Sequence, residues 1–452
     1  MIALSRSAPV RGFLRRRGDL LAGGAVLALV LAAVVGCLWW NPDRQLGPDS
    51  FAGAGPLFGE WPVLGTFHPH AGPGSIPTVL IGAMVVVFGP GLAERLPWRR
   101  ALAATWVTAV AWTCSLALID GWRRGVAERL TTGSEYLVEV PGITDAAEML
   151  RTFSGRILDH RPDSWATHVS GHPPGATLVF VWLDRIGLGG GAAAGVVCVL
   201  VGAAAATAVP VTVAALGHPD LARRSLPFLA VFPGAVWVGA SADGLFTGVT
   251  SIGVALLALG CTGRLGWAAV AGAVLGFGIF LSYGLLLIGA IALAVVVVTR
   301  RWAALGLAIA GASAVVLVFA SAGFWWPEGY ELVVQRYYQG IASDRPYGYW
   351  VWANLGCFAM ATGPVLGPAL VRSVRERRSA TGMVALVAGA VLAVLAADLS
   401  GLSKAEVERI WLPFAVWLVA AGALLPDRSR RWWLAAQAGV AFAVNSLVLT
   451  AW

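Results

Sequence analysis

The chain has 452 residues, of which 58% are hydrophobic and 12% charged, and its formal net charge is +8. Soluble domains carry about 25% charged residues, so this composition excludes an ordinary soluble protein. The positive charge comes from arginines at the ends of apolar segments, and it therefore does not indicate nucleic-acid binding. The five cysteines lie inside apolar segments, which argues against a disulfide framework.

Apolar segments long enough to cross a bilayer core of about 30 Å recur along the chain. Alternating barrel strands are absent, so we predict an all-α polytopic membrane protein. An arginine-rich tail precedes the first segment, which we interpret as an anchor rather than a cleaved signal peptide. The predicted spans number about thirteen, at positions 20–40, 76–93, 101–119, 191–216, 222–241, 244–262, 266–280, 283–298, 303–322, 350–371, 380–397, 408–425 and 432–451.

The distribution of arginines predicts the orientation of these spans. With a cytoplasmic N-terminus, and with the short apolar segment 174–187 not crossing, the inner segments hold 20 basic and five acidic residues. The outer segments then hold 12 basic and 19 acidic residues. We therefore expect a multi-pass protein of the plasma (inner) membrane, with an external C-terminus and a large external loop at 120–190.

This external loop contains a predicted amphipathic helix. Asp145 and Glu148 have the spacing of a capping box at a helix start. Met149, Phe153 and Ile157 follow on one apolar face. The pattern fits a juxtamembrane helix in the headgroup region, or a small folded surface loop whose helix packs inward.

Chemistry at the external interface is favoured because no predicted span has a charged residue at its centre. Ion-coupled transporters usually need such a residue. Within the loop, Glu135 stands beside Tyr136, and a carboxylate in a dry cleft acts as a general base. The alternative is a solvated loop glutamate.

Three residues are candidates for binding a phosphate. His172 precedes Pro173-Pro174-Gly175, where proline suits a helix start and the free amides of that start suit an anion. Lys404, the only lysine, and Arg409 lie before an apolar segment, as expected for contacts to a lipid phosphate. The alternatives are a proline cap with an incidental histidine, and cations that extend to the interface within a local salt-bridge network.

Candidate sugar- or acceptor-binding residues are mostly aromatic. They are Tyr136, Asp243, Tyr283, Tyr337 and Tyr338. An interfacial aromatic belt gives the same composition without a sugar site. His68 and His70 form a pair with no third ligand near them in sequence, so we predict no metal site there.

The chain resembles the GT-C superfamily of integral-membrane glycosyltransferases, which use polyprenyl-phosphate sugars, and in particular actinobacterial mannosyl- and arabinosyltransferases. Ser134-Glu135-Tyr136 is similar to the acidic signature of the family's first large external loop. Segment 145–158 resembles the juxtamembrane helix of that loop, and HPPGATLVFVWLDRIGLGG at 172–190 resembles its HPP stretch. SKAEVERIWLPF at 403–414 is similar to a late motif.

The resemblance implies a division into a tail with two extra helices at 1–100 and a GT-C-like core at 101–452, with 120–190 as the catalytic loop. It implies transfer of a sugar from a polyprenyl-phosphate donor to an acceptor hydroxyl, with Glu135 as the base. Asp120 and Asp145 stay alternatives, because Ser134 replaces the first acid of the family's pair.

The expected partners are the lipid-linked donor, the bilayer and a glycan, lipid or protein acceptor, without nucleic acid. No cofactor is identified, although a divalent cation is compatible with the resemblance. The competing interpretation is a lipid or polysaccharide transporter, or a structural membrane subunit without catalysis.

Overall fold

The computed structural model describes residues 8–40, 63 and 65–450. Most of segment 41–75, between the first two predicted spans, and the start of the N-terminal tail therefore lie outside the described residues. Within them, the chain folds into 21 α-helices, several short helical turns and one pair of strands.

The helices fall into three groups along the chain. Those before the long loop are α1 (Ala8–Trp40), α2 (Ser75–Arg95) and α3 (Trp98–Ala117). Those within the loop are α4 (Ala146–Thr152), α5 (Thr167–Ser170) and α6 (Pro174–Leu183). Those after the loop are α7 (Gly191–Gly202), α8 (Ala205–Ala215), α9 (Pro219–Ala230), α10 (Ala235–Val238), α11 (Ala242–Thr262), α12 (Gly266–Leu281), α13 (Ile288–Thr299), α14 (Trp302–Ser321), α15 (Trp326–Gln339), α16 (Tyr347–Thr362), α17 (Leu366–Arg375), α18 (Thr381–Leu399), α19 (Val407–Ile410), α20 (Leu412–Ala420) and α21 (Asp427–Leu447).

Seven helical segments of the described chain are long and apolar enough to cross a membrane. They are Arg17–Cys37, Ser75–Arg95, Trp98–Asp120, Gly191–Ala215, Ala242–Thr262, Trp302–Ser321 and Thr381–Leu399. The bent pair Tyr347–Thr362 and Leu366–Arg375 makes an eighth if it is one span. The prediction of an all-α polytopic membrane protein is confirmed, whereas the count of thirteen crossings stays a prediction.

The other predicted spans fall on helices that are shorter, bent or more polar. The segment predicted as 222–241 is interrupted after α9, where Pro233 and Gly234 separate it from α10. The segment predicted as 350–371 bends by 93° between α16 and α17. Gly363 lies at the bend with φ of +77°, a conformation that glycine adopts without strain, and Pro364 follows it.

A small sheet lies at the same end of the bundle as the long loop. Strands β1 (Gly65–Phe67) and β2 (Val448–Thr450) pair antiparallel. The guanidinium of Arg124, in the loop, donates to the carbonyl of Thr450 at 2.7 Å. The last described residues and the loop therefore share one side of the bundle, and which side of a membrane this is stays a prediction.

Two arginines form ion pairs at the opposite end of the bundle. Arg372 on α17 forms a bidentate contact with Asp19 on α1, at 2.9 and 2.6 Å, and both residues are buried. Arg430 on α21 contacts Asp427 and Glu94. These five residues belong to segments predicted to be cytoplasmic, and the side of the membrane on which they lie stays a prediction.

The predicted loop helix forms only in part, because α4 ends at Thr152 and a single turn at Ser154–Arg156 follows, but the predicted apolar residues Met149, Phe153 and Ile157 are buried. Asp145 is the N-cap of α4 and accepts a hydrogen bond from the amide of Ala147 at 2.8 Å. Phe153 is fully buried, and its ring lies 5.4 Å from Trp165 and 5.6 Å from Phe324. Of the two interpretations of this helix, the structure supports the folded loop over a helix with its apolar face in the lipid headgroups.

Candidate functional site

Glu135 is buried at the centre of a polar cluster formed by the long loop. Its side chain is 9% exposed, and Oε1 lies 2.8 Å from Nδ1 of His168 on α5. The amide of His168 donates to the carbonyl of Ser134 at 2.9 Å, which holds α5 against the Glu135 turn. Within the described part of the chain, Oε2 of Glu135 has no hydrogen-bond partner. This oxygen is buried, and its capacity to accept a hydrogen bond is unused.

The surroundings of Glu135 keep it ionised. Burial raises the pKa of a carboxyl group, but His168, Arg409 and His172 act in the opposite direction and hold the pKa of Glu135 below its usual value. Arg409 lies more than 250 residues away in sequence, so the fold brings the predicted base and one predicted phosphate-binding cation into the same electrostatic environment.

The ring of Tyr136, the residue after Glu135, packs against other aromatic rings. Its ring lies 5.7 Å from His172 and 5.1 Å from Phe180, and the residue is 1% exposed. Its hydroxyl has no hydrogen-bond partner within the described residues. Burial raises the pKa of Tyr136 well above its usual value, and the charges of Asp243 and Glu135 raise it further. The hydroxyl is therefore protonated and able to donate.

His172 is neutral, and this limits its predicted contact with a phosphate. Nδ1 lies 2.8 Å from the carbonyl oxygen of His168, which can only accept, so the proton is on Nδ1. Burial lowers the pKa of His172 to about 4, against the opposing effect of Asp243. The neutral ring then has an acceptor at Nε2, which suits a hydroxyl group better than a phosphate.

The loop that follows His172 confirms the predicted proline helix start. Pro173 is the N-cap of α6 and Pro174 is its first residue. Gly175 allows α6 to approach α12 closely, since a Cβ atom there would lie 2.6 Å from the carbonyl oxygen of Phe280. The segment predicted not to cross by itself forms the ten-residue helix α6, which at about 1.5 Å per residue is shorter than a bilayer core.

Arg409 is the central cation of the cluster. Its side chain is 6% exposed, with Nη1 3.1 Å from Oδ2 of Asp243 and Nη2 3.2 Å from Oε2 of Glu406. Asp243 is at the start of α11, and its side chain is also buried. The structure thus pairs Asp243, predicted as a sugar or acceptor ligand, with the guanidinium of Arg409.

A second buried arginine extends this network. Nη1 of Arg345 lies 3.5 Å from Oε1 of Glu406, and it also donates to the carbonyl of Lys404 at 2.8 Å. The ammonium of Lys404 in turn donates to the carbonyls of Ala342 and Arg345, at 2.6 and 2.9 Å. Burial lowers the pKa of Lys404, and the charge of Arg345 adds to this. In this arrangement Lys404 holds the 340–346 backbone.

Tyr337 and Tyr338, near the end of α15, lie beside Lys404. The hydroxyl of Tyr337 accepts from the amide of Lys404 at 2.8 Å, and the ring of Tyr338 lies 5.4 Å from the ammonium. Tyr338 is 49% exposed. Tyr283, in contrast, packs against Trp326 and Tyr330, at 5.2 and 5.8 Å.

The two alternative bases lie in other settings. Asp120 contacts Nε2 of His70 at 2.8 Å and Arg129 at 3.3 Å, close to the small sheet. Asp145 has a side chain that is 56% exposed and acts as the N-cap of α4. Among the three acids considered for the base, Glu135 is the one with a direct contact to His168 and an electrostatic coupling to Arg409.

The sequence did not identify His168 and Arg345 as site residues. His168 had one available signal, since it precedes His172 by four residues. Arg345 lies between Tyr338 and Tyr347 in the sequence, and nothing local distinguishes it from a surface arginine. Among the described residues, no group of three or more His, Cys, Asp or Glu side chains is arranged to hold a metal ion.

No family model and no curated protein matches the chain. A crystal structure of the Archaeoglobus fulgidus oligosaccharyltransferase, in complex with Zn and sulfate, is similar with a TM-score of 0.41 and 14% sequence identity. The match covers 76% of this chain and 53% of that chain, so this protein spans about half the length of that structure. A likeness at this TM-score carries no argument about function.

Proposed function

We propose that this protein is a membrane glycosyltransferase that moves a sugar from a polyprenyl-phosphate donor to a hydroxyl of a glycan, lipid or protein acceptor at the outer face of the membrane. The observation that carries the proposal is the buried cluster in which Glu135 is coupled to Arg409. A base and an anion-binding cation are the two groups that such a transfer needs.

Glu135 acts as the general base in this proposal. Its Oε2 has no partner within the described chain and accepts the proton of the acceptor hydroxyl, while Oε1 stays beside His168. The acceptor oxygen then forms a bond to the anomeric carbon of the sugar. The bond from that carbon to the phosphate oxygen breaks, and the polyprenyl phosphate leaves with the electron pair.

The lowered pKa of Glu135 fits a late proton transfer. A carboxylate of low pKa is a weak base, so it removes the proton once bonding to the anomeric carbon has made the hydroxyl acidic. His168, at 2.8 Å, stabilises the charge of the carboxylate and fixes its orientation. Tyr136 and the Nε2 of His172 provide a donor and an acceptor for sugar or acceptor hydroxyls.

Arg409 stabilises the charge that develops on the leaving phosphate. Arg409 stays fully charged at neutral pH, and a guanidinium fork matches the geometry of phosphate oxygens. Lys404 contributes by holding the segment that carries Arg345, through its two backbone contacts. The lipid chain of the donor would lie along the apolar helices, in the bilayer.

The experiment that tests this function uses purified protein in liposomes with decaprenyl-phosphate mannose and arabinose labelled in the sugar. The proposal predicts that label leaves the lipid and appears in an acceptor fraction. Labelled lipid that moves between leaflets without loss of its sugar would instead support the lipid transporter and contradict the glycosyltransferase.

A further inference from the structure

A carboxylate of the protein occupies the space between two buried arginines. The two oxygens of Glu406 contact Nη1 of Arg345 at 3.5 Å and Nη2 of Arg409 at 3.2 Å. The side chains of Arg345 and Arg409 are 3% and 6% exposed, whereas that of Glu406 is 20% exposed. Glu406 is therefore the most exposed of the three side chains, and the space that its carboxylate fills between Arg345 and Arg409 is called the two-arginine pocket below.

The backbone that presents this carboxylate is strained. Ala405 and Glu406 have φ values of +71° and +64°, which are unfavourable for residues other than glycine. The segment is held from behind, because the side-chain carbonyl of Asn354 accepts from the amide of Ala405 at 3.1 Å. This backbone conformation places the Glu406 carboxylate between the two arginines.

From this arrangement we propose that Arg345 and Arg409 form a binding site for a singly charged phosphodiester, and that Glu406 fills the site until the ligand displaces it. The inference rests on the proposed function, because it assigns the phosphate of the donor to this pocket. It adds Arg345 as a ligand of that phosphate and Glu406 as the group that competes with it.

Charge balance explains the preference for a singly charged ligand. Glu406 contributes one negative charge beside Arg345 and Arg409. Asp243 stays on Nη1 of Arg409 when Glu406 moves away, because the two carboxylates contact different nitrogens. A phosphodiester carries one negative charge and so replaces the charge of Glu406 one for one, whereas a phosphomonoester at neutral pH carries nearly two.

Glu406 is a negatively charged group beside the two arginines. Burial raises the pKa of Glu406, but Arg345 and Arg409 hold it below its usual value, so the group is an anion. An anion in this position competes directly with a second anion. Removal of its charge by Glu406→Gln should therefore strengthen phosphate binding, whereas the loss of a purely structural salt bridge would weaken the site or leave it unchanged.

The test is a binding measurement on the full-length protein in detergent, by titration calorimetry, with no transfer step involved. The probes are decaprenyl-phosphate mannose, a lipid phosphodiester, and inorganic phosphate, a free anion. The variants are Glu406→Gln and the matched control Glu331→Gln, which makes the same change on the exposed surface of α15.

We expect Glu406→Gln to bind decaprenyl-phosphate mannose about tenfold more tightly than the wild type, with Glu331→Gln unchanged. Arg345→Gln in the Glu406→Gln background should remove that gain. Unchanged or weaker binding of the lipid by Glu406→Gln would overturn the inference. A gain for inorganic phosphate without a gain for the lipid would also overturn it, because it would assign the pocket to a free phosphate.

A measurement on the wild type covers the case in which Glu406→Gln does not fold. Hydrogen exchange of the amides in 402–408 should become faster when decaprenyl-phosphate mannose binds, because Glu406 leaves the pocket. Slower or unchanged exchange in that segment would contradict the displacement. Calorimetry and hydrogen exchange both measure binding and not sugar transfer. The displacement of Glu406 can therefore be contradicted while transfer is observed, and it can be supported while transfer is absent.

Discussion

The ion pair between Arg409 and Asp243 can be tested by Arg409→Met. Both residues are 5% exposed, and Nη1 lies 3.1 Å from Oδ2. The substitution leaves Asp243 as a buried carboxylate with no compensating cation from this pair. Removal of one partner of a buried pair costs about 3–5 kcal/mol in the free energy of unfolding. At roughly 2 °C per kcal/mol, typical of large domains, Tm should fall by about 6–10 °C.

Arg123→Met is the matched control for this substitution. Arg123 contacts Glu128 at 2.6 Å, but the arginine side chain is 83% exposed and that of the glutamate 51% exposed. An exposed ion pair contributes about 0–1 kcal/mol, because water and salt screen it. The measurement is thermal unfolding in detergent micelles, followed by tryptophan fluorescence, for both variants in the same buffer.

A double variant separates the buried charge from simple loss of packing. In Arg409→Met with Asp243→Asn, the uncompensated charge is absent, so about 0.5–3 kcal/mol of the loss should be recovered. Two losses that simply add would contradict the account of this pair. A Tm for Arg409→Met no lower than that for Arg123→Met would contradict it as well.

Two further predictions concern the corner at 172–175. His172 has a pKa of about 4 in the folded protein against 6.5 ordinarily, so the unfolded state binds more protons between these values and stability falls as pH falls through that window. His172→Asn should remove about 1–3 kcal/mol of this pH dependence, measured as a flatter plot of Tm against pH. An equally steep plot for the variant would contradict the neutral ring. Gly175→Ala should lower the free energy of unfolding by about 1–3 kcal/mol, because the added Cβ atom overpacks against the Phe280 carbonyl. Gly133→Ala, where a Cβ atom meets nothing within 4 Å, should leave Tm nearly unchanged. Equal effects of the two substitutions would contradict the close approach at Gly175.

The membrane class could be predicted from sequence, because it depends on local composition. Apolar length predicted the membrane helices, whereas the orientation inferred from the distribution of arginines stays a prediction. The number of crossings could not be derived in this way. A proline or glycine inside an apolar segment bends the helix or leaves it whole depending on its neighbours, as the 93° bend after Thr362 illustrates.

The site was predictable only where its residues are close in sequence. Glu135, Tyr136 and His172 could be grouped because one loop carries them all. The pairing of Arg409 with Asp243 joins residues on α19 and α11, and no local pattern indicates it. Lys404 also shows that contacts cannot be inferred from local sequence. As the only lysine, placed before an apolar segment, it was predicted to bind a phosphate, and in the structure its ammonium donates to two backbone carbonyls.

The most direct test of the proposed function is the effect of Glu135→Gln on transfer of labelled sugar from decaprenyl-phosphate donors, with Glu128→Gln as the control. Glu128 is an exposed glutamate in the same loop, so the control makes the same chemical change away from the cluster. We expect Glu135→Gln to lower the rate of transfer by about 10²–10⁴-fold, as for loss of a general base. Donor binding and Glu128→Gln activity should be retained. Transfer by Glu135→Gln at the wild-type rate would contradict the assignment of Glu135 as the base.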